Sequence, residues 1–299
     1  MWGKRGTSVK GDNGKLDGKV ALITGSSQGL GYQIAKRFAL EGANLVICAR
    51  SKNEIDKTVS ELSQNIQPQQ QIYGFNCDVS VRTDVDTLFE FIEREFTKLD
   101  VLINNAGIYG PLGPIEDNEW DQWVRAIEIN LIGSAYVMRK SIEVMKRKKY
   151  GKIIQLSGGG ATQPHPNASS YAASKAAVVR LAETLAQEVA NFGIEINTIA
   201  PGAMNTRLFE QVIEAGPELV GNDFYEKTMK QKESGGSGFE NATSLAVFLA
   251  SDKSNGITGK LISAIWDDWA QFPKNIEALT SSDIYTIRRI TEQERPNVI

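Results

Sequence analysis

The chain has 299 residues, of which 41% are hydrophobic and 23% charged, with a formal net charge of -3. Such a length and apolar content can bury a large core, which excludes disorder as the default state. The slight acidic balance excludes the basic footprint that nucleic-acid binding needs, so no nucleic-acid partner is expected.

Residues 1–15 carry basic side chains but no apolar stretch, and read as a flexible N-terminal tail rather than a secretory signal. No run of 18 apolar residues follows, so no membrane span is expected. The two cysteines, Cys48 and Cys77, lie inside apolar stretches, far from any metal-ligand or disulfide-framework spacing. They predict buried, reduced thiols and a cytoplasmic protein.

From Lys19 onward, short apolar runs alternate with helical patterns. The strand candidates are Val20–Ile23, Leu45–Ala49, Ile72–Cys77, Val101–Asn104, Ile153–Leu156, Ile196–Ala200 and Leu261–Ile265. Most are continuously apolar, as strands covered on both faces should be. Between them Ile34 pairs with Phe38, and Ile55 with Val59 and Leu62. Val85, Leu88, Phe89, Ile92 and Phe96 form one helical stripe. This rhythm predicts an α/β domain over residues 16–265, with a seven-stranded parallel sheet covered by helices on both faces. The polar region 209–241, which contains Ser234-Gly235-Gly236-Ser237-Gly238, interrupts the rhythm and reads as an insertion or substrate lid. Residues 266–299 read as a C-terminal extension packed on the core.

The first strand is followed at once by Thr24-Gly25-Ser26-Ser27-Gln28-Gly29-Leu30-Gly31 and then by a helical pattern. Glycines there allow a tight turn and a close backbone approach to a pyrophosphate, and the helix N-terminus offers free N–H groups to the anion. A plain tight connection is the bland alternative. The spacing Thr-Gly-x-x-x-Gly-x-Gly resembles that of the short-chain dehydrogenase/reductase family, in its short single-domain branch.

That resemblance implies a doubly wound, Rossmann-type sheet and an NAD(P)-dependent oxidoreductase working between a carbonyl and a secondary alcohol. Gly25, Ser27, Gln28, Gly29, Leu30 and Gly31 would hold the cofactor's phosphates. After the second strand, where NAD-preferring relatives tend to carry an acid, the chain reads Ala49-Arg50-Ser51. Arg50 and Ser51 therefore point to NADP(H) as the preferred cofactor, with NAD(H) possible. Gln28 stands where many NADP-dependent relatives carry a second basic residue. Asp78 and Val79 would line the adenine pocket, although Asp78 could equally cap the next helix. Asn105, Ala106 and Gly107, in Asn104-Asn105-Ala106-Gly107, occupy the place of a family signature.

Tyr171 and Lys175 are spaced i and i+4, one turn apart on one helix face. A neighbouring ammonium favours the phenolate and so is expected to lower the phenol's pKa from about 10. By resemblance Tyr171 is the general acid and base, Lys175 binds the nicotinamide ribose, and Asn130 belongs to a proton relay. The family's substrate-binding serine usually stands 13 positions before the tyrosine, where this chain has Gly158. Either the following loop carries one extra residue and Ser157, one position earlier, serves in its place, which is the expectation, or the substrate oxygen is held otherwise. Pro201, Gly202 and Thr206 resemble the segment bordering nicotinamide.

The only histidine, His165, reads as an exposed loop residue, so metal sites and histidine-base schemes are not expected. Lys146-Arg147-Lys148-Lys149 reads as a solvated helix end. Where many relatives end the last strand with Asp-Gly-Gly, this chain has Ser263-Ala264-Ile265-Trp266-Asp267-Asp268-Trp269. With the polar lid, Trp266 and Trp269 suggest a sugar or nucleotide-sugar alcohol as substrate. Gly158 motivates the rival reading of a catalytically inactive NAD(P)-binding sensor. An epimerase or dehydratase is disfavoured by the glycine spacing. The resemblance further implies a homodimer or homotetramer, built through the helices that hold Asn130 and Tyr171.

Overall fold

Strand β1 (Val20–Thr24) alternates its side chains between two apolar layers, and this alternation organises the whole molecule. Ala21 and Ile23 join one core cluster, while Val20 and Leu22 join the other. The computed structural model describes residues 14–294, so nearly all of the expected tail and the last five residues of the extension lie outside the described residues.

In chain order β1 is followed by α1 (Gly29–Leu40), β2 (Asn44–Ala49), α2 (Lys52–Leu62), β3 (Ile72–Asn76), α3 (Arg82–Phe96) and β4 (Val101–Asn104). Then come α4 (Trp120–Ile127), a π-helical turn (Glu128–Gly133), α5 (Ser134–Lys148), β5 (Gly151–Leu156), α6 (Ser169–Glu188) and β6 (Ile194–Ala200). The chain continues through α7 (Arg207–Val220), α8 (Asn222–Ser234), α9 (Glu240–Ala250), β7 (Leu261–Ser263) and α10 (Ile276–Thr280). All seven strands are parallel, in the order β3-β2-β1-β4-β5-β6-β7. The expected doubly wound, seven-stranded sheet is therefore present. Its direction of winding reverses between β1 and β4, and the carboxyl ends of strands at such a reversal border a crevice suited to ligands.

The stripes of α1 and α9 pack Ile34, Phe38, Leu245 and Phe248 on one face of the sheet. On the other face, α3 and α5 pack Val85, Leu88, Phe89, Ile92, Val137 and Met138. Both cysteines are buried and unpaired. Among the described residues, no helix is long and apolar enough to cross a membrane.

Two segments differ from the expected patterns. The last strand stops at Ser263, two residues early. There the Ser263 hydroxyl accepts the N–H groups of Ile265 and Trp266, which turns the chain away from the sheet. The polar region 209–241 contains most of two helices, α7 and α8, with a bend at Gly216 (φ 73°) before Pro217. Beyond β7, Phe272 and Leu279 are buried against the α1–α9 side. Lys260 donates to the carbonyls of Ser282 and Ile284, and Leu261 N–H to that of Tyr285, tying this segment to the outer strand.

Candidate active site

The glycine-rich turn leaves β1 with Gly25 at φ 63°, a left-handed conformation that side chains disfavour. A Cβ on Gly31 would lie 2.3 Å from the Gly25 carbonyl oxygen, so the turn can close this tightly only with glycine. Asn105 Nδ2 donates to the carbonyls of Thr24 and Gly25, while Thr24 Oγ1 accepts the N–H groups of Asn105 and Ala106. Asn104 ties the next junction through Gln155 and the Ser134 carbonyl. The strand ends around the crevice are thus cross-braced. No side chain caps the start of α1 at Gln28, so its first N–H groups face the crevice without such a partner. This bare helix start beside a glycine cradle fits a pyrophosphate.

Beyond β2, Ser51 caps α2 by accepting the Glu54 N–H. Arg50 is exposed and, among the described residues, makes no ion pair. Asp78 does not cap α3, whose N-cap is Val81. It accepts instead from the Ser80 backbone and hydroxyl and pairs with Arg125 at 2.6 Å. Burial works to raise the Asp78 pKa, but the Ser80 hydrogen bonds and the Arg125 and Arg50 charges prevail and hold it below the usual carboxylate range. Val79 packs with its backbone against Gly133.

Sequence reading missed Glu54. Its carboxylate accepts a hydrogen bond from Ser27 Oγ at 3.1 Å, which brings an acid to the glycine-rich turn. Ser51-x-x-Glu54 has the form of a capping box, in which the glutamate would reach back to its own helix start. Here it reaches across to another loop. Glu54 and Ser27 also line a cavity of about 290 Å³ with Gln28, Tyr32, Lys57, Thr58 and Glu61.

At the other end of the crevice, Tyr171 and Lys175 are both buried on α6. Lys175 Nζ donates to the Leu156 carbonyl at 3.1 Å and lies 5.5 Å from the centre of the Tyr171 ring. The expected lowering of the phenol's pKa is not found. Burial is the larger effect on both groups, and the amine is turned to Leu156 rather than hydrogen-bonded to the phenol. Tyr171 is pushed up, with Tyr109 adding to the shift, and Lys175 is brought down to about 8.

Asn130 sits in the π-helical turn, a distortion frequent at functional sites. Its side chain accepts the Ile108 N–H and donates to the Ile108 carbonyl and to Ser174 Oγ, so it clamps the loop after β4 to α6. A Cβ on Gly107 would lie 3.2 Å from Asn130 Oδ1 and 3.5 Å from Lys175 Nζ, so the two groups flank one small space.

Ser157 is buried at the end of β5 and its hydroxyl has no partner among the described residues. At Gly158 a Cβ would lie 2.1 Å from the Tyr171 hydroxyl oxygen. The phenol therefore fills the space in which any side chain at position 158 would begin. Gly202 (φ 89°) backs onto Ile265, and Pro201 beside it is buried. Thr206 starts α7 with its methyl group 3.7 Å from where a Gly29 side chain would sit.

His165 is not the exposed loop residue that the sequence suggests. Its ring lies 4.6 Å from Phe224 of α8 and 6.5 Å from both Tyr109 and Tyr171. Tyr109 itself packs 4.5 Å from Tyr171. His165 Nε2 is buried without a partner among the described residues, and burial holds the ring's pKa below its ordinary value. Only the folding of α8 over this loop reveals the cluster; no local signal in the sequence marks it. Among the described residues, neither tryptophan that suggested a sugar packs in this aromatic cluster. Trp266 is 86% exposed, and Trp269 packs on Phe248. Among the described residues, no group of acidic, histidine or cysteine side chains could hold a metal ion.

A family model described as short chain dehydrogenase matches residues 19–216. The chain is 37% identical over 246 residues to a 3beta-hydroxysteroid dehydrogenase 1 of Eggerthella lenta, covering 82% of this chain and 91% of that one. It is 31% identical to a 3-oxoacyl-(acyl-carrier-protein) reductase of Thermotoga maritima, covering 83% and 96%. Among solved structures, an NAD+-bound xylitol dehydrogenase superposes with a TM-score of 0.74 at 26% identity, covering 83% of this chain and 98% of that one. A gluconate 5-dehydrogenase from Burkholderia cenocepacia in complex with NADP and tartrate has the same TM-score at 28% identity, covering 84% and 95%.

Proposed function

The chain belongs to the short-chain dehydrogenase family, nicotinamide-dependent oxidoreductases of CH–OH groups, and from that premise we propose a reversible ketone reductase in which Tyr171 handles the proton. The observation that carries this reading is the packing of the Tyr171 hydroxyl into the space left by Gly158, beside Ser157 and one turn from Lys175. The glycine that raised the possibility of an inactive sensor is what makes room for the phenol.

A nicotinamide dinucleotide, when bound, supplies or accepts the hydride. The backbone of Gly25 to Gly31 and the start of α1 hold the pyrophosphate. Asp78 and Val79 border the adenine, and Asn105, Ala106 and Gly107 border the inner ribose. Pro201, Gly202 and Thr206 cover the nicotinamide end. Arg50 favours NADP(H), with NAD(H) also accepted. Lys175 spends one N–H on Leu156 and keeps two for a ribose hydroxyl and the phenol. In reduction, Tyr171 Oη gives its proton to the substrate oxygen, which Ser157 Oγ steadies; in oxidation the proton returns. The small space between Asn130 and Lys175 is the inner end of the proton relay.

Tyr109, His165 and Phe224 form an aromatic cluster beside Tyr171, and His165 Nε2 within it is buried without a partner among the described residues, so a substrate that parts the cluster would meet ring faces and one polar atom. A hydroxylated ring, such as a sugar or an alicyclic ketone with a second polar group, satisfies both. The groove between α5 and α6 carries Ile142, Leu181 and Leu185 flanked by charges of both signs, and is the face on which a homodimer or homotetramer would form.

The test is a ketone and alcohol panel of sugars, steroids, acyl thioesters and simple cyclic ketones, run with both dinucleotides on wild type and Tyr171→Phe. Turnover should favour hydroxylated rings, and the variant should lose roughly 10²-fold or more while binding dinucleotide normally. A phenylalanine variant with undiminished turnover would refute the assignment.

A further inference from the structure

Beyond β2 the crevice holds two opposite charges without a contact ion pair among the described residues, and one of them, Arg50, also acts at longer range on Asp78. Arg50 leaves β2, and Glu54 stands one turn into α2. Among the described residues neither makes an ion pair, although every nearby cation of α2 does: Lys52 pairs with Asp56, and Lys57 with Glu61. Glu54 is instead tethered to the glycine-rich turn, accepting from Ser27 Oγ while Thr58 Oγ1 reaches the Ser27 carbonyl at 3.5 Å. An exposed glutamate would ordinarily swing freely in water. This one is held against the loop that cradles the dinucleotide.

We infer that Glu54 is a specificity residue that opposes Arg50 in the choice between the two dinucleotides. This rests on the reading of residues 25–31 as the phosphate cradle and of Arg50 as the group facing the adenosine ribose. A 2′-phosphate brings close to two negative charges to that ribose. Arg50 attracts it, whereas Glu54 repels it and already occupies the Ser27 hydroxyl that would otherwise donate to it. A plain ribose has no such charge, and its 2′-hydroxyl can donate to the same carboxylate. Glu54 therefore narrows the advantage that Arg50 gives to NADP(H), and the wild-type chain accepts both dinucleotides.

The test measures binding without turnover. Adenosine 2′,5′-bisphosphate and AMP are titrated calorimetrically into wild type, Glu54→Gln and Arg50→Ala at low salt and again at high salt. Glu54→Gln should bind the bisphosphate roughly five- to twentyfold more tightly, with AMP within about twofold, and the gain should shrink at high salt as charges are screened. Arg50→Ala should weaken the bisphosphate alone. An unchanged bisphosphate affinity in Glu54→Gln, or an equal gain for both nucleotides, overturns the role of Glu54 even if Arg50 behaves as expected. If Glu54→Gln gains while Arg50→Ala loses nothing, Glu54 stands and the assignment of Arg50 falls. Failure of AMP to bind wild type would overturn the cradle beneath both.

Discussion

Replacing Gly158 by alanine isolates the contact on which the active-site reading depends. Gly158 is not among the glycines with positive φ, so the backbone accepts alanine without strain. The new methyl carbon would start 2.1 Å from the Tyr171 hydroxyl oxygen. Relief requires the phenol to retreat by roughly 1 Å, since its ring is the movable partner and its backbone is fixed in α6. Tyr109 crowds that ring from another side, 4.5 Å away, which limits the directions of retreat. A misplacement of about 1 Å in a reacting group can cost on the order of 10²-fold in rate, or about 2.7 kcal/mol. The glycine-rich turn, at the other end of the crevice, is untouched. The expected result is a 10²-fold fall in single-turnover rate with dinucleotide affinity close to wild type, and a lowered thermal midpoint because overpacking costs about 1–3 kcal/mol. Gly158→Ser should fall as far, although it restores the residue that relatives usually carry there. If either variant reacts within threefold of wild type, the phenol does not work from the position described.

Ser157→Ala should separate function from stability. The buried hydroxyl has no partner among the described residues, so its loss should leave the urea midpoint unchanged or slightly raised, while turnover falls roughly 10²-fold. Unchanged turnover would remove Ser157 from the mechanism. Lys175→Met addresses the cost of burying an amine. Burial lowers the folded pKa of Lys175 to about 8, against 10.5 as its ordinary value, so between those values the unfolded chain binds more protons than the folded one. The contribution of Lys175 to stability is therefore least favourable below pH 8 and improves as pH rises toward 10.5. Urea unfolding at about pH 7 and pH 9.5 should show wild type gaining on Lys175→Met by a few kcal/mol at most. A constant difference between the two proteins across that range would contradict the buried state of the amine.

What could be read before folding was local. Gly25, Gly29 and Gly31 announce their role because strand, turn and helix are contiguous, and Tyr171 with Lys175 because one helical turn joins them. The strands were legible because continuous apolar runs have few other uses in a domain of this size. What escaped was contact between distant segments. Ser27 meets Glu54 across two elements, and His165 meets Phe224 only once α8 folds over it. The shift of Tyr171 was misjudged for a related reason: spacing reveals the ammonium beside the phenol, whereas depth of burial belongs to the whole fold. Trp266 and Trp269 misled because an aromatic near a strand end looks the same whether it faces ligand, core or water.

The wide helical turn from Glu128 to Gly133 has a bearing on how this chain tolerates change. Each residue in an ordinary helix turns the next by about 100°, so one residue more or fewer rotates everything downstream. Asn130 must look toward Ile108 and Ser174, while Val137, Met138 and Met145 must look toward the sheet. A continuous α-helix through the same residues would turn one of those sets by about 100°, toward solvent. The wide turn acts as a phase adjuster between clamp and core, so that Asn130 and the sheet-facing side chains keep their separate directions within one helical run.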